Sequence, residues 1–366
     1  MNLIHTHIKS VDYILVGQGL AGSALALRLW QQGKSFVVFD QHEANRASAV
    51  AAGLFNPVSG KWLAKSWMAE KIFPELHQFY TSAEKILNAR FFYPQPLYRP
   101  FISIEEQNEW MGRSAGRALK DYVKEIITQS KYGKEVHDPF GGIVQADGGY
   151  VDVQTFLLHV QQLLISIQAF VPERLDETLL EVTDRAVRYK NIDAGKIIFC
   201  NGTGVSQSAM LKDVPILLLK GETITIEAEQ PLELIYQRGV YIVPMPEKNR
   251  YKVGATYELK LLTSNITDAA REELVEKLNS LLKVPYRVIG QDWGFRPTTI
   301  DRKPILGQHP ISNNVIIFNG LGTKGVSLAP YFSGQLLDWL TKKNELHPEV
   351  NINRFKSLFS KSIKEV

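Results

Sequence analysis

The sequence predicts an α/β protein of two domains: a nucleotide-binding domain assembled from separated segments, and a β-rich domain inserted between them. Three observations predict it. The chain opens on strand, glycine turn and helix, "VDYILVGQGLAGSALALRLWQQGK". It closes on the same order, "NVIIFNGLGTKGVSLAPYFSGQLLDWL". Between them lie the strand-rich stretches "ILLLKGETITIEAE" and "GVYIVPMPEKNRYKVGATYE". Strand–glycine–helix units at opposite ends imply one sheet built from distant parts of the chain, and 366 residues suffice for two domains sharing an interface.

Residues 11 to 16 are apolar and β-branched, as a strand covered on both faces should be. Gly17, Gly19 and Gly22 follow as G-x-G-x-x-G, with Leu20 and Ala21 in the first turn of a helix that runs to Gln32 and stops at Gly33. A second strand, Ser35 to Phe39, ends at Asp40 and Gln41, placing the Asp40 carboxylate 18 residues after Gly22. This is the dinucleotide fingerprint in its required context. Gly17 makes the tight turn, Gly19 admits a pyrophosphate, Gly22 lets helix and strand pack closely, and Asp40 accepts from a ribose. NAD, NADP and FAD share the motif. The following run, "NRASAVAAGLFNP", offers the small residues Ser48, Ala49, Ala52 and Gly53 beside Leu54, suited to backbone lying against a flat ligand or to a structural loop.

The remaining elements follow in order. Residues 67 to 90 are helical with an interruption at Pro74, and "FFYPQPLYRPF" marks a crossing between domains. "EEQNEWMGRSAGRALKDYVKEIITQS" reads as a helix broken by glycine, and "FGGIVQADGGYVDV" as a hairpin turning at Asp147-Gly148. Residues 153 to 168 form an amphipathic helix. "ETLLEVTDRAVRY" and "KIIFCNGTG" are strands, the second ending at Asn201, Gly202 and Gly204. A helix spans about Thr267 to Lys283, capped by Thr267 with Asp268 in its first turn. The nucleotide domain then takes residues 1–88, 150–213 and 292–366, and the β-rich domain residues 89–149 and 214–291.

Composition excludes several classes. With 45% hydrophobic and 22% charged residues the chain is globular, and its net charge of +4 (42 Lys+Arg against 38 Asp+Glu) is spread without a basic block. A nucleic-acid surface is therefore not indicated, though not excluded, and an acidic small molecule fits as well. A single cysteine, Cys200, rules out an internal disulfide framework, and the eight histidines form no metal-binding spacing. The first apolar run is too short for a membrane span or a signal segment, so a cytoplasmic location is expected by default.

Four pieces, "KGETITI", "VYIVPMPEKNRYKVGATYE", "WGFRPTTIDRKPILG" and "FNGLGTKGVSLAP", occur in the order shown by the glycine oxidase and D-amino-acid oxidase family of flavoproteins, which the chain resembles over nearly its whole length. The resemblance implies a p-hydroxybenzoate-hydroxylase-like architecture: a discontinuous Rossmann-like FAD-binding domain and a β-rich substrate domain. It also implies non-covalent FAD and oxidation of the carbon–nitrogen bond of an amine or amino acid, with hydride passing to flavin N5. The turn at Ser48 to Leu54 would contact FAD. Gly320, Gly322, Thr323, Lys324, Gly325 and Val326 would present a helix N-terminus to the flavin pyrimidine ring, where reduction places negative charge. Lys324 either adds its charge there or is a solvated loop lysine.

Arg296 matches the family's substrate-carboxylate arginine, because a guanidinium buried among Trp293, Phe295 and Pro297 is tolerable when a ligand carboxylate completes a bidentate pair. The alternative is a structural ion pair with Asp301. Tyr241 matches a tyrosine assisting that grip, or is a core strand tyrosine. Lys252 aligns with an oxygen-activating lysine of monomeric sarcosine oxidase, or is a solvent-facing strand lysine; alternation argues neither way. Oxygen or another acceptor would reoxidise the flavin. Two other readings remain: a tRNA-modifying flavoenzyme that removes a carboxymethyl group from a wobble-uridine side chain, and a NAD(P)-dependent reductase or non-catalytic nucleotide-binding protein.

Overall fold

The computed structural model describes residues 9–41, 45–59, 64–114, 121–260, 263–310, 312–342 and 344–362. Its first sheet is built on parallel strands in the order Phe170–Val171, Phe36–Phe39, Lys9–Val16 and Ile192–Phe199, and Val315–Asn319 joins the last of these in parallel. The sheet thus unites segments three hundred residues apart. Its strands are apolar on both faces because helices cover them: Ile14, Leu15, Ile197 and Ile198 are fully buried. Helices Leu20–Gln31 and Gly325–Lys342 pack against each other, with Gly325 against Leu20 and Gly334 against Arg28.

The second sheet has eight strands in the order Tyr286–Thr298, Leu217–Ala228, Arg250–Gly254, Val240–Pro244, Ile235–Arg238, Leu97–Pro100, Gly142–Gln145 and Val123–Ile127. Alternation divides its side chains. Ile224, Ile226, Ile242 and Val253 turn outward under Leu274 and Leu278 of helix Asp268–Asn279. Thr267 caps that helix by accepting from Ala270 N at 3.3 Å, and a buried Lys220–Glu222 pair (2.8 Å) ties the cap to the sheet, Glu222 accepting from Thr267 N and Oγ1. The other face carries Leu219, Gly221, Thr223, Gly254, Tyr241, Gln237, Gly294 and Arg296, all lining the cavity between the two sheets.

Three expectations are corrected. Helix Ala69–Leu87 runs unbroken through Pro74, which lies early in it, where a proline forfeits only the bond to a first-turn carbonyl. The segment after the expected glycine break is the strand Val123–Ile127; residues 115–120 lie outside the described residues. Asp147-Gly148 does not close a hairpin. Gly142–Gln145 belongs to the second sheet, whereas Gly149–Val151 pairs with Leu54–Phe55 and Phe92–Pro94. Close packing holds it there, since a Cβ on Gly53 would stand 1.8 Å from the Val151 carbonyl oxygen.

Candidate active site

At the first strand-to-helix turn Gly17 has φ +100°, and a Cβ there would stand 2.7 Å from the Cys200 carbonyl oxygen. A Cβ on Gly22 would stand 1.9 Å from the Gly17 oxygen, so both glycines are required by close backbone approach. Helix Leu20–Gln31 begins at Gly19 without a side-chain cap. Ser48 Oγ accepts from Leu20 N at 3.2 Å, which brings the small-residue turn onto this helix end. Asp40 is fixed at both oxygens: Oδ1 accepts from Gln18 N (2.9 Å) and Oδ2 from Arg46 Nη1 (2.8 Å). Each carboxylate oxygen keeps a further acceptor site for a ribose hydroxyl.

A cavity of about 1990 Å³ runs from this turn to the inner face of the second sheet. Gln41, Ala52, Gly53, Leu54, Gly202 and Leu20 to Ala21 line it, as do Gly322 to Val326 on the far wall. Asn201 Oδ1 and Arg46 Nε are buried on its wall without a hydrogen-bond partner among the described residues. Orphaned polar atoms and close glycine approach at a helix N-terminus are the features that an elongated dinucleotide satisfies, so the residues fit FAD. Gly22, Ala49 and Gly320 stand behind the lining: Ala49 offers its carbonyl to Gln154 Nε2 (2.9 Å), and Gly320 N donates to Asn319 Oδ1 (2.8 Å). Cys200 is buried beneath Gly17 and Gly22, and burial pushes its thiol pKa up.

Lys324 lines the cavity with Nζ 3.0 Å from Ser66 Oγ. Crowding by protein, helped by the nearby charge of Arg302, pulls its ammonium below the usual lysine range.

At the other end lies Arg296. Its Nη1 donates to the Thr256 carbonyl at 3.3 Å, its guanidinium stands 5.1 Å from the centre of the Tyr257 ring, and no carboxylate lies within ion-pair distance among the described residues. Asp301 pairs instead with Arg354 at 2.9 Å, which excludes the structural ion pair considered for Arg296. Gly221 and Gly254 leave the floor open. A Cβ on Gly254 would stand 2.6 Å from the Tyr241 hydroxyl oxygen, and burial, opposed by the charge of Arg296, pushes the Tyr241 pKa up to about 12. Phe295 and Trp293 alternate with Gly294 and Arg296 and share the opposite face, their ring centres 5.4 Å apart beside Lys220; of the two only Phe295 borders the cavity.

Lys252 is not brought to the cavity. It shares the inner face with Thr225 and Val243, one row beyond Tyr241, and its Nζ lies 3.0 Å from Asp292 Oδ2. Sequence reasoning missed Arg46 and the role of the strand glycines. "KGET" and "VGAT" carried the signal, since glycine inside a strand marks close approach by another group.

The channel runs from the glycine turn to the sheet that carries a guanidinium with no acidic partner among the described residues, and fold and lining together fit an FAD-dependent oxidoreductase. The chain matches the family model described as FAD dependent oxidoreductase (DAO) over residues 12–339, and it belongs to that family. It is 25% identical over 352 residues to the bifunctional protein ThiO/ThiG of Synechocystis sp., covering 89% of this chain and 51% of that protein. It is 24% identical over 358 residues to glycine oxidase of Bacillus licheniformis, covering 91% and 93%. The chain thus spans about half the length of the bifunctional relatives it matches. Its fold is that of iminodiacetate oxidase from Chelativorans sp. BNC1 (TM-score 0.76, 19% identity, 93% and 98% covered). Glycine oxidase from Geobacillus kaustophilus shares it too (TM-score 0.74, 17% identity, 92% and 96% covered). No helix among the described residues is long and apolar enough to cross a membrane.

Proposed function

We propose that the protein oxidises the carbon–nitrogen bond of an amine or amino acid bearing a carboxylate, with FAD held non-covalently. One observation carries this reading: Arg296 faces the cavity with an aromatic ring, one carbonyl and no acidic partner among the described residues. A guanidinium so placed lacks its counter-charge until a ligand supplies one. The names glycine oxidase and iminodiacetate oxidase, borne by a relative and a structural neighbour, describe substrates of that kind.

Bound FAD supplies a hydride acceptor. The chain supplies the rest. Arg296 grips the carboxylate in a bidentate pair, and the neutral Tyr241 hydroxyl donates a further hydrogen bond. Gly221, Gly254 and Gly294 keep the floor flat, so the anchored substrate lies close to the cofactor and excludes water. No histidine lines the cavity among the described residues, and the amine enters unprotonated.

Non-covalent attachment is supported by the burial of Cys200 and by the absence of histidine from the turn at residues 45–57. Lys252 is assigned to tying two strands through Asp292. The division into a nucleotide domain and a β-rich domain is supported by the separate sheets they form, but the expected boundary at residues 291 and 292 is corrected: the strand Tyr286–Thr298 pairs along its length with Leu217–Ala228, so the β-rich segment runs on through Thr298. A cytoplasmic site and reoxidation by oxygen or another acceptor complete the proposal.

Anaerobic mixing of the yellow protein with amino acids and N-alkylglycines tests it. Bleaching by carboxylate-bearing amines, and not by the same amines lacking the carboxylate, is the expected result. A protein that stays yellow with all of them overturns the reading.

A further inference from the structure

Beside Arg296, on the same face of the second sheet, runs an apolar strip. The ladder pairs Leu217 with Thr298 and Leu219 with Arg296. On the other side of Leu217–Ala228, Lys220 exchanges both backbone bonds with Glu258 (2.9 and 3.0 Å), which sets Leu259 beside Leu219 and Tyr257 beside Gly221. Ile300 follows two residues after Thr298. Leu217, Tyr257, Leu259 and Ile300 all line the cavity, yet they are 43%, 66%, 59% and 73% exposed. Single exposed apolar residues are ordinary, but these four come from three chain segments and converge on one cavity mouth next to one cation.

We propose that this strip is the subsite for a large apolar group of the substrate, aromatic or branched aliphatic, carried on the α-carbon or the nitrogen of the amino acid. The inference rests on the amine-oxidation reading above. Arg296 fixes the carboxylate opposite Leu219. Successive same-face residues of a strand lie about 7 Å apart, so a substituent of five to seven carbons reaches from the carboxylate to Leu217 or Leu259. The strip is continuous with the anchoring site, and substrate binding removes it from water. Glycine would leave it exposed.

The test uses the FAD-loaded enzyme in anaerobic stopped flow with glycine, N-methylglycine, N-benzylglycine and both enantiomers of leucine and phenylalanine. At least one apolar substrate is expected to reduce the flavin with an efficiency roughly tenfold or more above glycine, as burial of such a side chain implies. In Leu259→Ser and Ile300→Ser, both at exposed positions, that ratio should fall about tenfold. Glycine reacting as well as every bulky substrate, or a ratio indifferent to both substitutions, overturns this inference while leaving amine oxidation standing. Flavin unreduced by all the compounds overturns the underlying reading instead. A stable dimer that the same substitutions dissociate would show the strip covered by a second copy, and also overturns the proposal.

Discussion

The Cβ that Gly221 lacks would stand 2.1 Å from both Nη1 and Nη2 of Arg296, so the guanidinium lies flat on the backbone of the neighbouring strand. One methyl group there must displace the charge. Gly221→Ala should therefore raise the KM for a carboxylate substrate by about 10²-fold while the protein still binds FAD. Kinetics together with the flavin-to-protein absorbance ratio measure both, and an unchanged KM would count against the guanidinium as the anchor.

Replacing the charge itself gives a second expectation. Arg296→Met should lower kcat/KM for carboxylate amines by roughly 10²- to 10³-fold, the loss of two charge-assisted hydrogen bonds. Because no carboxylate pairs with Arg296 among the described residues, thermal stability should hold or rise. If the variant loses its flavin or melts early, the arginine is structural.

Tyr241 carries a pH expectation. Its hydroxyl, pushed from the ordinary 10 to about 12 by burial, stays neutral and able to donate across the whole working range. Affinity for a non-reacting carboxylate ligand, followed by flavin difference spectra, should stay flat from pH 7 to about 10.5 as far as this group is concerned. Tyr241→Phe should weaken that affinity about tenfold at every pH. A drop centred near pH 10 in the parent that vanishes in the phenylalanine variant would show an ordinary, solvated tyrosine.

Lys252 offers a contrast between two roles. Paired with the half-exposed Asp292, it contributes a bond of about 1 kcal/mol or less. Lys252→Met should leave reoxidation of reduced flavin by oxygen within about twofold and lower the melting temperature slightly. Reoxidation slowed many-fold, with flavin reduction intact, would return the lysine to oxygen chemistry.

The legible parts were those whose meaning is local. Gly17, Gly19, Gly22 and Asp40 act within one strand–turn–helix unit, so spacing alone describes them. Arg296 was legible because a charge among aromatics and a proline demands a reason wherever it falls. Lys252 was not: its role depends on which row of the inner face it occupies and on Asp292 lying within reach, both matters of register between strands forty residues apart. Arg46 sat in view within "NRASAV", yet its partner Asp40 becomes apparent only when the turn folds back on the second strand. The Asp147-Gly148 turn misled for a related reason, since turn chemistry is local while the choice of sheet is decided by packing around Gly53 and Val151.

The strand Val315–Asn319 sits beside Ile192–Phe199, which in turn sits beside Lys9–Val16, and the glycine turn after it forms one wall of the cofactor channel. The channel is therefore complete only when both segments are in place. A chain emerging from the ribosome exposes its G-x-G-x-x-G turn first and completes the opposite wall only after residue 326 has appeared. Such long-range closure is slow to form. Yellow colour in a preparation consequently reports more than cofactor supply: it counts the molecules in which Lys9–Val16 and Val315–Asn319 have joined one sheet.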